Sequence, residues 1–508
     1  MLSKVLSCSV IGIDGWLIQV EVDIALGLPV FATVGLPDNS VRESKDRVKA
    51  AIKNCGYDFP NKRVTVNLAP ADIKKEGSGF DLPIAVGILA ATEIAKKNIP
   101  GEFCIVGELS LDGTVRRVNG ILPIILAAKE HGMAGVIIPE ENKEEARVAP
   151  SGIDVIAVSS LPQVVEFLSG IIQIDPTSPL SLDGMSDQSG YDIDFSDIRG
   201  QEHVKRAMEI AASGGHNVLL KGPPGSGKTM LAKRFPTILP AMTMDEVLET
   251  SKIYSIAGRI NSQRCLFSSR PFRSPHHTIS DAGLIGGGTT PRPGEVSLAH
   301  NGVLFLDELP EFKKHVLELL RQPLEEGTVT IVRAKMAHTF SARFMLLAAM
   351  NPCPCGFHGD RNNSCNCTSM QIQKYVSKIS GPLLDRIDMH LEVAALNYDE
   401  MSSTVRGESS GEIKNRVDDA RAVQKERLSP YPQIYCNAQM NSKLVEQFCT
   451  LDPLSSALLK RSVTRLGLSA RAYHRILKIA RTIADMEKST AIKSSHVAEA
   501  IQYRRLDL

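Results

Sequence analysis

The residues GPPGSGKT, at 222–229, have the types and the spacing of a phosphate-binding loop. They follow a strand-like run, NVLLK, and precede a helix-like run, MLAKRF. This context disfavours the alternative, a glycine-rich turn without function. Glycines allow backbone N–H groups to face phosphate oxygens, and the start of the following helix adds its positive end. The pattern predicts an ATP-binding site formed by Gly222, Pro223, Pro224, Gly225, Ser226, Gly227, Lys228 and Thr229.

Two adjacent carboxylates supply the second half of this chemistry. The run VLFLDE, at 303–308, places Asp307 and Glu308 at the end of an apolar strand. We expect Lys228 to reach the β- and γ-phosphates, while Thr229 and Asp307 hold Mg²⁺. Glu308 is then the general base that polarises the attacking water. Such carboxylates are often only solvated turn residues, but their position about 80 residues after a phosphate loop favours catalysis.

An amide and two arginines complete the predicted nucleotide chemistry. Asn351 ends the next strand-like run, LLAAMN, and is predicted to sense the γ-phosphate; a plain strand terminator is the alternative. Arg386, in GPLLDRID, lies in an apolar segment and therefore needs a negative partner. We predict an arginine finger that reaches a neighbouring subunit's nucleotide, the alternative being an ion pair with Asp385 or Asp388. Arg471, in LSARAYHRIL, is predicted to act on its own subunit's nucleotide.

Four of the ten cysteines are concentrated in the segment 353–367. Four thiolates can close a tetrahedral zinc site, and we predict structural Zn²⁺ beside Asn351 rather than a catalytic metal. The C-x-C spacing is tighter than the commoner two-residue gap, which weakens the prediction, and His358 is an alternative ligand. The predicted ligands are Cys353, Cys355, Cys365 and Cys367.

Length and composition set broad limits on the class of protein. With 508 residues, the chain is long enough for about three domains. It is 43% hydrophobic and 23% charged, and its formal net charge of +1 indicates neither a nucleic-acid partner nor a membrane partner. The N-terminus lacks an apolar core of secretory length, and no run reaches the roughly 18 apolar residues of a membrane span. We therefore predict a cytoplasmic protein without a membrane partner.

The pattern along the chain predicts four segments and a multidomain α/β fold. Residues 1–172 alternate strand-like and helix-like runs, and residues 173–192 form an acidic linker rich in Ser, Pro and Gly. Residues 193–395 have short apolar strands of the kind found in a parallel sheet. Residues 396–508 are mostly helix-like.

The order of these motifs resembles that of the AAA+ ATPases of the magnesium-chelatase type. FSDIRGQEHVKRA is similar to their adenine-side entry segment, and RPFRSPHHTISDAGLIGGGTTPRPGEVSLAHNGVLFLDELPEF closely resembles one branch, the ComM (YifB) family. The resemblance covers essentially the whole chain. It implies an AAA+ core with a parallel sheet, a C-terminal helical lid and a homo-hexameric ring that uses ATP and Mg²⁺. It also implies a DNA helicase that extends strand exchange by branch migration during natural transformation.

Residues 1–172 resemble the proteolytic domain of Lon, most strongly in NGILPIILAAKEHGMAGVIIPEEN, at 119–142. This implies a ribosomal S5 domain 2-like α+β fold. Lon-type proteolysis needs a serine activated by a lysine base. Gly79 occupies the serine position, one residue from Ser78, while Leu122 occupies the lysine position and Lys129 lies seven residues further on. We predict a scaffold or a DNA-contacting face without peptidase activity.

Three basic segments are candidates for DNA contact. GTVTIVRAKMAHTFSARF, at 327–344, is predicted to be a hairpin with Arg333 and Lys335 near its tip, where cations suit sequence-independent phosphate contacts. A solvated turn is the alternative. RPFRSPHHT, at 270–278, is a second candidate. Residues 458–508 contain eleven Lys or Arg against four Asp or Glu, an excess that the overall charge conceals, although a basic solvated face would look the same.

Together these features predict an ATP-driven hexameric motor that acts on single-stranded and branched DNA, with recombination proteins as further partners. Two alternatives stay open. A chelatase-type motor would remodel a protein partner and be indifferent to DNA. An ATP-dependent Lon-like protease is disfavoured by the missing lysine base.

Overall fold

The computed structural model describes residues 1–72, 75, 77–95, 103–179, 193–260, 269–288, 291–333, 336–360, 363–395, 407–431 and 434–504, without the side chains of Arg333 and Met336. The chain divides into two compact units. Unit 1 comprises residues 1–186, 244–267 and 332–340, and unit 2 comprises residues 187–243, 268–331 and 341–508. Two segments from within the predicted 193–395 core are therefore part of unit 1. The boundaries of the four predicted segments stay predictions.

Unit 1 is built on a seven-stranded mixed sheet. Its first two strands pair antiparallel, with Val5 opposite Val20, and every second residue from Ile18 to Ile24 is buried. This alternation is what a strand with one buried face requires. In spatial order the strands are Phe31–Val34, Arg63–Ala69, Asp14–Ala25, Leu2–Ile11, Phe103–Ile105, Gly135–Pro139 and Asp154–Val158.

The helices of unit 1 pack on this sheet. Helix Asn39–Asn54 begins where the Asp38 carboxylate accepts the N–H of Val41 at 2.8 Å, which satisfies one of the free donors of the first turn. All eleven residues of Asp81–Ala91 are buried, since this helix is apolar on every side. The described helices are Asn39–Asn54, Asp81–Ala91, Ile121–Glu130, Lys143–Ala146, Leu161–Leu168 and Met244–Ile256.

The last of these helices comes from the stretch between the phosphate loop and Asp307, yet it packs inside unit 1. Leu248 lies against a core cluster of this unit. The Ser255 hydroxyl donates to the buried carboxylate of Glu145, and its carbonyl accepts the N–H of Gly120 at 3.2 Å. These bonds explain why the segment belongs to this unit.

Unit 2 is built on a five-stranded sheet in which every described pairing is parallel. Three strands matter below: the phosphate-loop strand, Val218–Lys221; the carboxylate strand, Val303–Leu306; and the amide strand, Met345–Met350. Every residue of these three strands is buried except Lys221 and Met345, as the predicted parallel sheet requires. In spatial order the five strands are Phe272–Arg273, Val303–Leu306, Met345–Met350, Val218–Lys221 and Met389–Glu392.

Helices surround this sheet and form the C-terminal part of unit 2, as predicted. The described helices are Glu202–Gly214, Lys228–Arg234, Asp281–Ile285, Glu295–Leu298, Lys314–Leu319, Arg321–Glu326, Ser369–Val376, Gly381–Leu384, Ser410–Leu428, Ser442–Phe448, Pro453–Leu466, Ala470–Met486 and Ser494–Gln502. The apolar face of Ala470–Met486, with Ile476, Ile479 and Ile483, is buried in one core cluster with the phosphate-loop strand. Within the described residues, every helix is too short or too polar to traverse a lipid bilayer.

Candidate functional site

The phosphate-loop strand, the carboxylate strand and the amide strand end at one edge of the sheet of unit 2. Lys221 lies opposite Met350 in the parallel register, so these two strands stop level with one another, and Leu306 ends the carboxylate strand opposite Ala348, two residues earlier. The residues that follow them are Gly222, Asp307 and Asn351. Because open α/β sheets bind ligands outside the carboxyl ends of their strands, this edge is the candidate site.

The phosphate loop is held close to neighbouring backbone. A Cβ on Gly222 would lie 2.2 Å from the carbonyl oxygen of Val393, so only glycine fits there. The Gln201 amide donates to the carbonyl oxygens of Ser226 at 2.9 Å and Ala394 at 3.0 Å. Gln201 belongs to the segment that resembles the adenine-side entry of the AAA+ ATPases, and these bonds tie that segment to the loop.

Lys228 lies at the centre of this site. Its ammonium donates to the carbonyl oxygens of Gly222 and Pro223, both at 2.8 Å, and to the Asn351 amide oxygen at 3.3 Å. Burial lowers the pKa of Lys228, and the two nearby carboxylates act against this lowering. The predicted phosphate-binding lysine and the predicted sensor amide are thus within hydrogen-bond distance of each other.

Replacing Lys228 by alanine is expected to weaken ATP binding by about 10- to 100-fold, because a hydrogen bond to a charged group contributes about 1.5–3 kcal/mol. Titration with a fluorescent ATP analogue measures the change. Lys233→Ala, at an exposed position of the same helix, is the matched control and should bind normally. Equal affinity of the two variants would contradict the assignment.

Thr229 and Asp307 face each other beside Lys228 and offer the oxygen ligands that Mg²⁺ prefers. The Thr229 hydroxyl donates to Asp307 at 2.7 Å, and the second oxygen of Asp307 accepts the N–H of Glu308 at 3.0 Å. Two neighbouring oxygen ligands of an octahedral Mg²⁺ lie about 2.9 Å apart, since each is about 2.0–2.1 Å from the ion. A hydroxyl and a carboxylate at this separation fit the predicted metal.

Glu308, the predicted general base, has an unusual backbone conformation. Its φ is 52° and its ψ is 48°, a left-handed geometry that is uncommon outside glycine and that recurs at functional sites. Its carboxylate is more than half exposed and lies 3.7 Å from Nδ1 of His277. The His277 ring packs against that of His276, with ring centroids 4.1 Å apart and planes tilted by 35°. The carboxylate can therefore reach a water at the open side of the site while one neighbour limits its orientation.

The two predicted nucleotide arginines share one carboxylate, that of Glu325. The guanidinium of Arg386 is buried and pairs with Glu325, and it also donates to the Pro382 carbonyl oxygen at 2.7 Å. Arg471 lies 3.4 Å from the same carboxylate. Hydrogen bonding from Arg386 lowers the pKa of Glu325. The partners weighed as the alternative to a finger pair elsewhere: Asp388 pairs with Arg475, and Asp385 lies 3.8 Å from Arg504.

Three site residues were missed by the sequence argument. Gln201 could have been found from its place in the adenine-side segment, and His277 from the paired histidines in RPFRSPHHT. Glu325 carries no signal, since an acidic residue near the end of a short helix is usually only a solvated side chain.

The predicted DNA hairpin is present as a two-stranded sheet, Thr328–Arg333 and Met336–Ser341. Its two predicted DNA-binding side chains, Arg333 and Lys335, lie outside the described residues. Their role stays a prediction.

The second DNA candidate, RPFRSPHHT, has its arginines engaged within unit 2. Arg270 donates to the carbonyl oxygens of Pro240 at 2.8 Å and Asn301 at 2.7 Å. Arg273 makes two bonds of 2.6 and 2.7 Å to the Glu295 carboxylate. These bonds disfavour phosphate contact by either arginine, because each would have to give up a partner.

The C-terminal charge excess is also smaller at the surface than in the sequence. Arg481 is buried against Asp485, Arg475 pairs with Asp388, and Arg504 is buried against the Ile387 carbonyl. Exposed cations without an ion-pair partner among the described residues remain on the Pro453–Leu466 helix. They are Lys460, Arg461 and Arg465.

The serine of the Lon-like segment has no lysine base at the predicted positions. The Ser78 hydroxyl donates to the Glu108 carboxylate. Leu122 is completely buried, and the ammonium of Lys129 donates to the Ser151 carbonyl oxygen at 2.7 Å. A carboxylate beside the serine cannot be the amine base that the Lon chemistry needs.

Three family models match successive parts of the chain. Residues 194–401 match "Magnesium chelatase, subunit ChlI", residues 20–142 match "Subunit ChlI of Mg-chelatase", and residues 407–504 match "Magnesium chelatase, subunit ChlI C-terminal". The magnesium-chelatase-like AAA+ family implies an ATPase that uses ATP and Mg²⁺, in agreement with the geometry around Lys228 and Asp307.

Individual relatives extend this match to the full length. The chain is 44% identical to "Competence protein ComM" of Haemophilus influenzae, covering 99% of this chain and 98% of the relative. It is 43% identical to "Uncharacterized protein YifB" of Escherichia coli K12, covering 100% and 97%. It is 28% identical over 169 residues to "Lon protease 2" of Bacillus subtilis, covering 30% of each chain. The chain belongs to the ComM/YifB family of magnesium-chelatase-like AAA+ proteins.

Proposed function

We propose that this protein is an ATP-driven DNA motor that assembles as a homo-hexamer in the cytoplasm. It hydrolyses ATP with Mg²⁺ and uses the cycle as a helicase that promotes branch migration during natural transformation and recombination. Its DNA is single-stranded and branched, and recombination proteins are its further partners.

The observation that carries this proposal is a full-length similarity to a protein named for competence, combined with an intact nucleotide site. The relative is named a competence protein, and 99% of this chain aligns with it. The side chains expected to bind nucleotide and Mg²⁺ lie together at one edge of the sheet. They are Lys228, Thr229, Asp307 and Asn351. Phosphoryl transfer needs mainly positioning and charge stabilisation, which these residues can supply.

This arrangement supports the following roles. Lys228 holds the β- and γ-phosphates, Thr229 and Asp307 hold Mg²⁺, and Glu308 polarises the attacking water. Asn351 contacts the γ-phosphate and reports its loss. Arg386 is the finger from the neighbouring subunit, and Arg471 acts from the C-terminal helices.

Two further features support DNA as the polymer. The hairpin of Thr328–Arg333 and Met336–Ser341 lies in the chain between the carboxylate strand and Asn351, so that it is joined to both parts of the nucleotide site. Exposed cations on the Pro453–Leu466 helix offer a second phosphate-binding surface. The protease alternative has little support, since Ser78 bonds to a carboxylate and Leu122 is buried.

The direct test compares ATP hydrolysis with and without single-stranded and branched DNA, alongside a strand-displacement assay on a synthetic three-way junction. DNA is expected to raise the hydrolysis rate, and ATP to drive displacement, in a ring detected by sedimentation velocity. Arg333→Ala and Lys335→Ala are expected to reduce the DNA stimulation while leaving basal hydrolysis intact. A chain that stays monomeric with ATP and branched DNA, or hydrolysis indifferent to DNA, would overturn the proposal.

The exposed cations of the Pro453–Leu466 helix give a separate prediction. Removing Lys460, Arg461 and Arg465 together should reduce the slope of log affinity against log salt concentration by about 2–3, because each phosphate contact contributes roughly 0.7–0.9. Fluorescence anisotropy at several salt concentrations measures the slope. Lys488→Ala is the control, since Lys488 is exposed but already paired with Asp419 at 2.9 Å. An unchanged slope would exclude this helix from the DNA surface.

A further inference from the structure

The four clustered cysteines bring their sulfur atoms to a common point in unit 2. All four Sγ atoms lie within 4.8 Å of one another. Cys353 is 3.3 Å from Cys355, and Cys365 is 3.6 Å from each of these two. A loop of this length could direct its four thiols away from one another, so the convergence of all four sulfur atoms is a specific arrangement.

These separations match a tetrahedral metal site and no disulfide. Four sulfur atoms at about 2.3 Å from a central Zn²⁺ lie about 3.8 Å from one another. A disulfide would require a separation of about 2.05 Å. The sulfur atoms therefore already have nearly the spacing that zinc imposes. His358, the alternative ligand, is exposed and outside the group.

Backbone donors support the thiolate form of these ligands. The N–H of His358 points to the sulfur of Cys353 at 3.3 Å, and the N–H of Cys367 points to that of Cys365 at 3.4 Å. Such outer contacts orient metal ligands and stabilise their negative charge. Soft thiolate ligands in a tetrahedral set select zinc or an iron–sulfur cluster, and the close mutual spacing favours a single ion.

The cysteine loop also contacts the phosphate loop. Gly356, with φ of 88°, lies so close to Pro224 that a Cβ would meet its ring Cδ at 2.5 Å. The loop starts two residues after Asn351, whose amide oxygen contacts Lys228. A metal that closes the loop would therefore fix two neighbours of the nucleotide, Pro224 from one side and Asn351 from the other.

We infer that Cys353, Cys355, Cys365 and Cys367 bind one structural Zn²⁺, and that this ion holds the cysteine loop against the phosphate loop so that ATP binds tightly. The inference goes beyond the proposed function and uses only its nucleotide site. It does not depend on DNA translocation. Zinc takes no part in hydrolysis, because the sulfur ligands leave no coordination position for water.

The first test measures the metal directly. The purified full chain, expressed in zinc-supplemented medium, should contain about one zinc per polypeptide by plasma mass spectrometry, and Cys365→Ser or Cys367→Ser should remove it. Cys55→Ser is the matched control, as Cys55 is a partly exposed cysteine away from the cluster, and it should keep the metal. Zinc well below one per chain, or zinc retained by both cluster variants, would overturn the inference.

A second measurement covers variants that fail to fold. When wild-type protein is titrated with an organomercurial, four thiols should react and one zinc should be released. A chromophoric chelator detects the released zinc. Protein refolded or expressed with Co²⁺ should show the intense absorption of a tetrahedral thiolate site. Release of no metal, together with no cobalt absorption, would also overturn the inference.

The contact with the phosphate loop has its own test. Gly356→Ala should keep its zinc but weaken ATP-analogue binding by about tenfold. This is the loss expected if only about a tenth of the molecules keep the phosphate loop in the conformation that binds nucleotide. Gly359→Ala is the matched control, because Gly359 also has a positive φ but no atom within 4 Å of its would-be Cβ. Equal affinities of the two variants for the ATP analogue would exclude the proposed effect of the cysteine loop on nucleotide binding. The metal site itself is tested by the zinc measurement. Zinc content and nucleotide affinity are read separately from DNA stimulation, so failure here is distinguishable from failure of the proposed function.

Discussion

Glu308→Gln is expected to bind ATP normally and to hydrolyse it about 10²–10⁴-fold more slowly, the usual loss when a general base is removed. The amide has nearly the shape of the carboxylate but cannot accept the proton of the attacking water. Lys228, Thr229 and Asp307 keep their contacts, since none of these hydrogen bonds uses the Glu308 side chain. Single-turnover hydrolysis and ATP-analogue titration separate the two effects.

Glu311→Gln is the matched control for this variant. Glu311 is another exposed carboxylate in the same turn, and it pairs with Lys378 at 3.3 Å. Because a surface pair contributes at most about 1 kcal/mol, its loss should leave hydrolysis nearly unchanged. If Glu308→Gln hydrolysed ATP as fast as Glu311→Gln, the base would have to be sought elsewhere at the open side of the site.

The parts of this site that follow from local sequence were the parts that could be predicted. A short apolar run followed by a polar residue places that residue at a strand end, and parallel strands share one edge. For this reason the phosphate loop, Asp307 and Asn351 could be placed together before their coordinates were known. The Thr229–Asp307 contact at 2.7 Å follows from the same reasoning.

The charge of the C-terminal surface could not be predicted from the sequence, because it depends on the direction of each side chain in three dimensions. Counting charges suggested a strongly basic C-terminal surface, yet Arg475 and Arg481 lie on the inward side of their helix and pair with carboxylates there. Their neighbours Ile476 and Ile479 are buried, and this apolar stripe was the available sign. A charge that must leave water needs a partner, so a cation beside such a stripe is a poor candidate for DNA.

Contacts between residues far apart in the sequence cannot be predicted from a local sequence pattern. The alternative for Arg386 was an ion pair with a neighbour in sequence, Asp385 or Asp388, but its carboxylate comes from Glu325, 61 positions earlier. Residues 244–267, which include the Met244–Ile256 helix, join unit 1 although residues 187–243 and 268–331 on either side of them belong to unit 2. Both outcomes follow from tertiary packing, which overrides spacing along the chain.

Arg386→Ala is expected to lower ATP hydrolysis by about 10³–10⁵-fold in assembled rings, the effect of losing an arginine finger. In the isolated subunit this guanidinium pairs with Glu325 and with no group of the phosphate loop among the described residues. We therefore expect it to act on the nucleotide of a neighbouring subunit. The measurement is steady-state hydrolysis at saturating ATP, with sedimentation velocity to establish that the ring is intact.

Mixing two inactive variants distinguishes an intermolecular role from a purely structural one. Arg386→Ala keeps a working phosphate loop, while Lys228→Ala keeps a working finger. A mixed ring contains interfaces at which one subunit supplies the loop and its neighbour supplies the arginine, so hydrolysis should reappear. If Arg386 served only its own subunit, every interface would lack one group and mixing would restore nothing. Arg386→Lys keeps a positive charge near Glu325. If this variant had a normal melting temperature but no hydrolysis, the loss of hydrolysis would come from the missing guanidinium and not from lower folding stability.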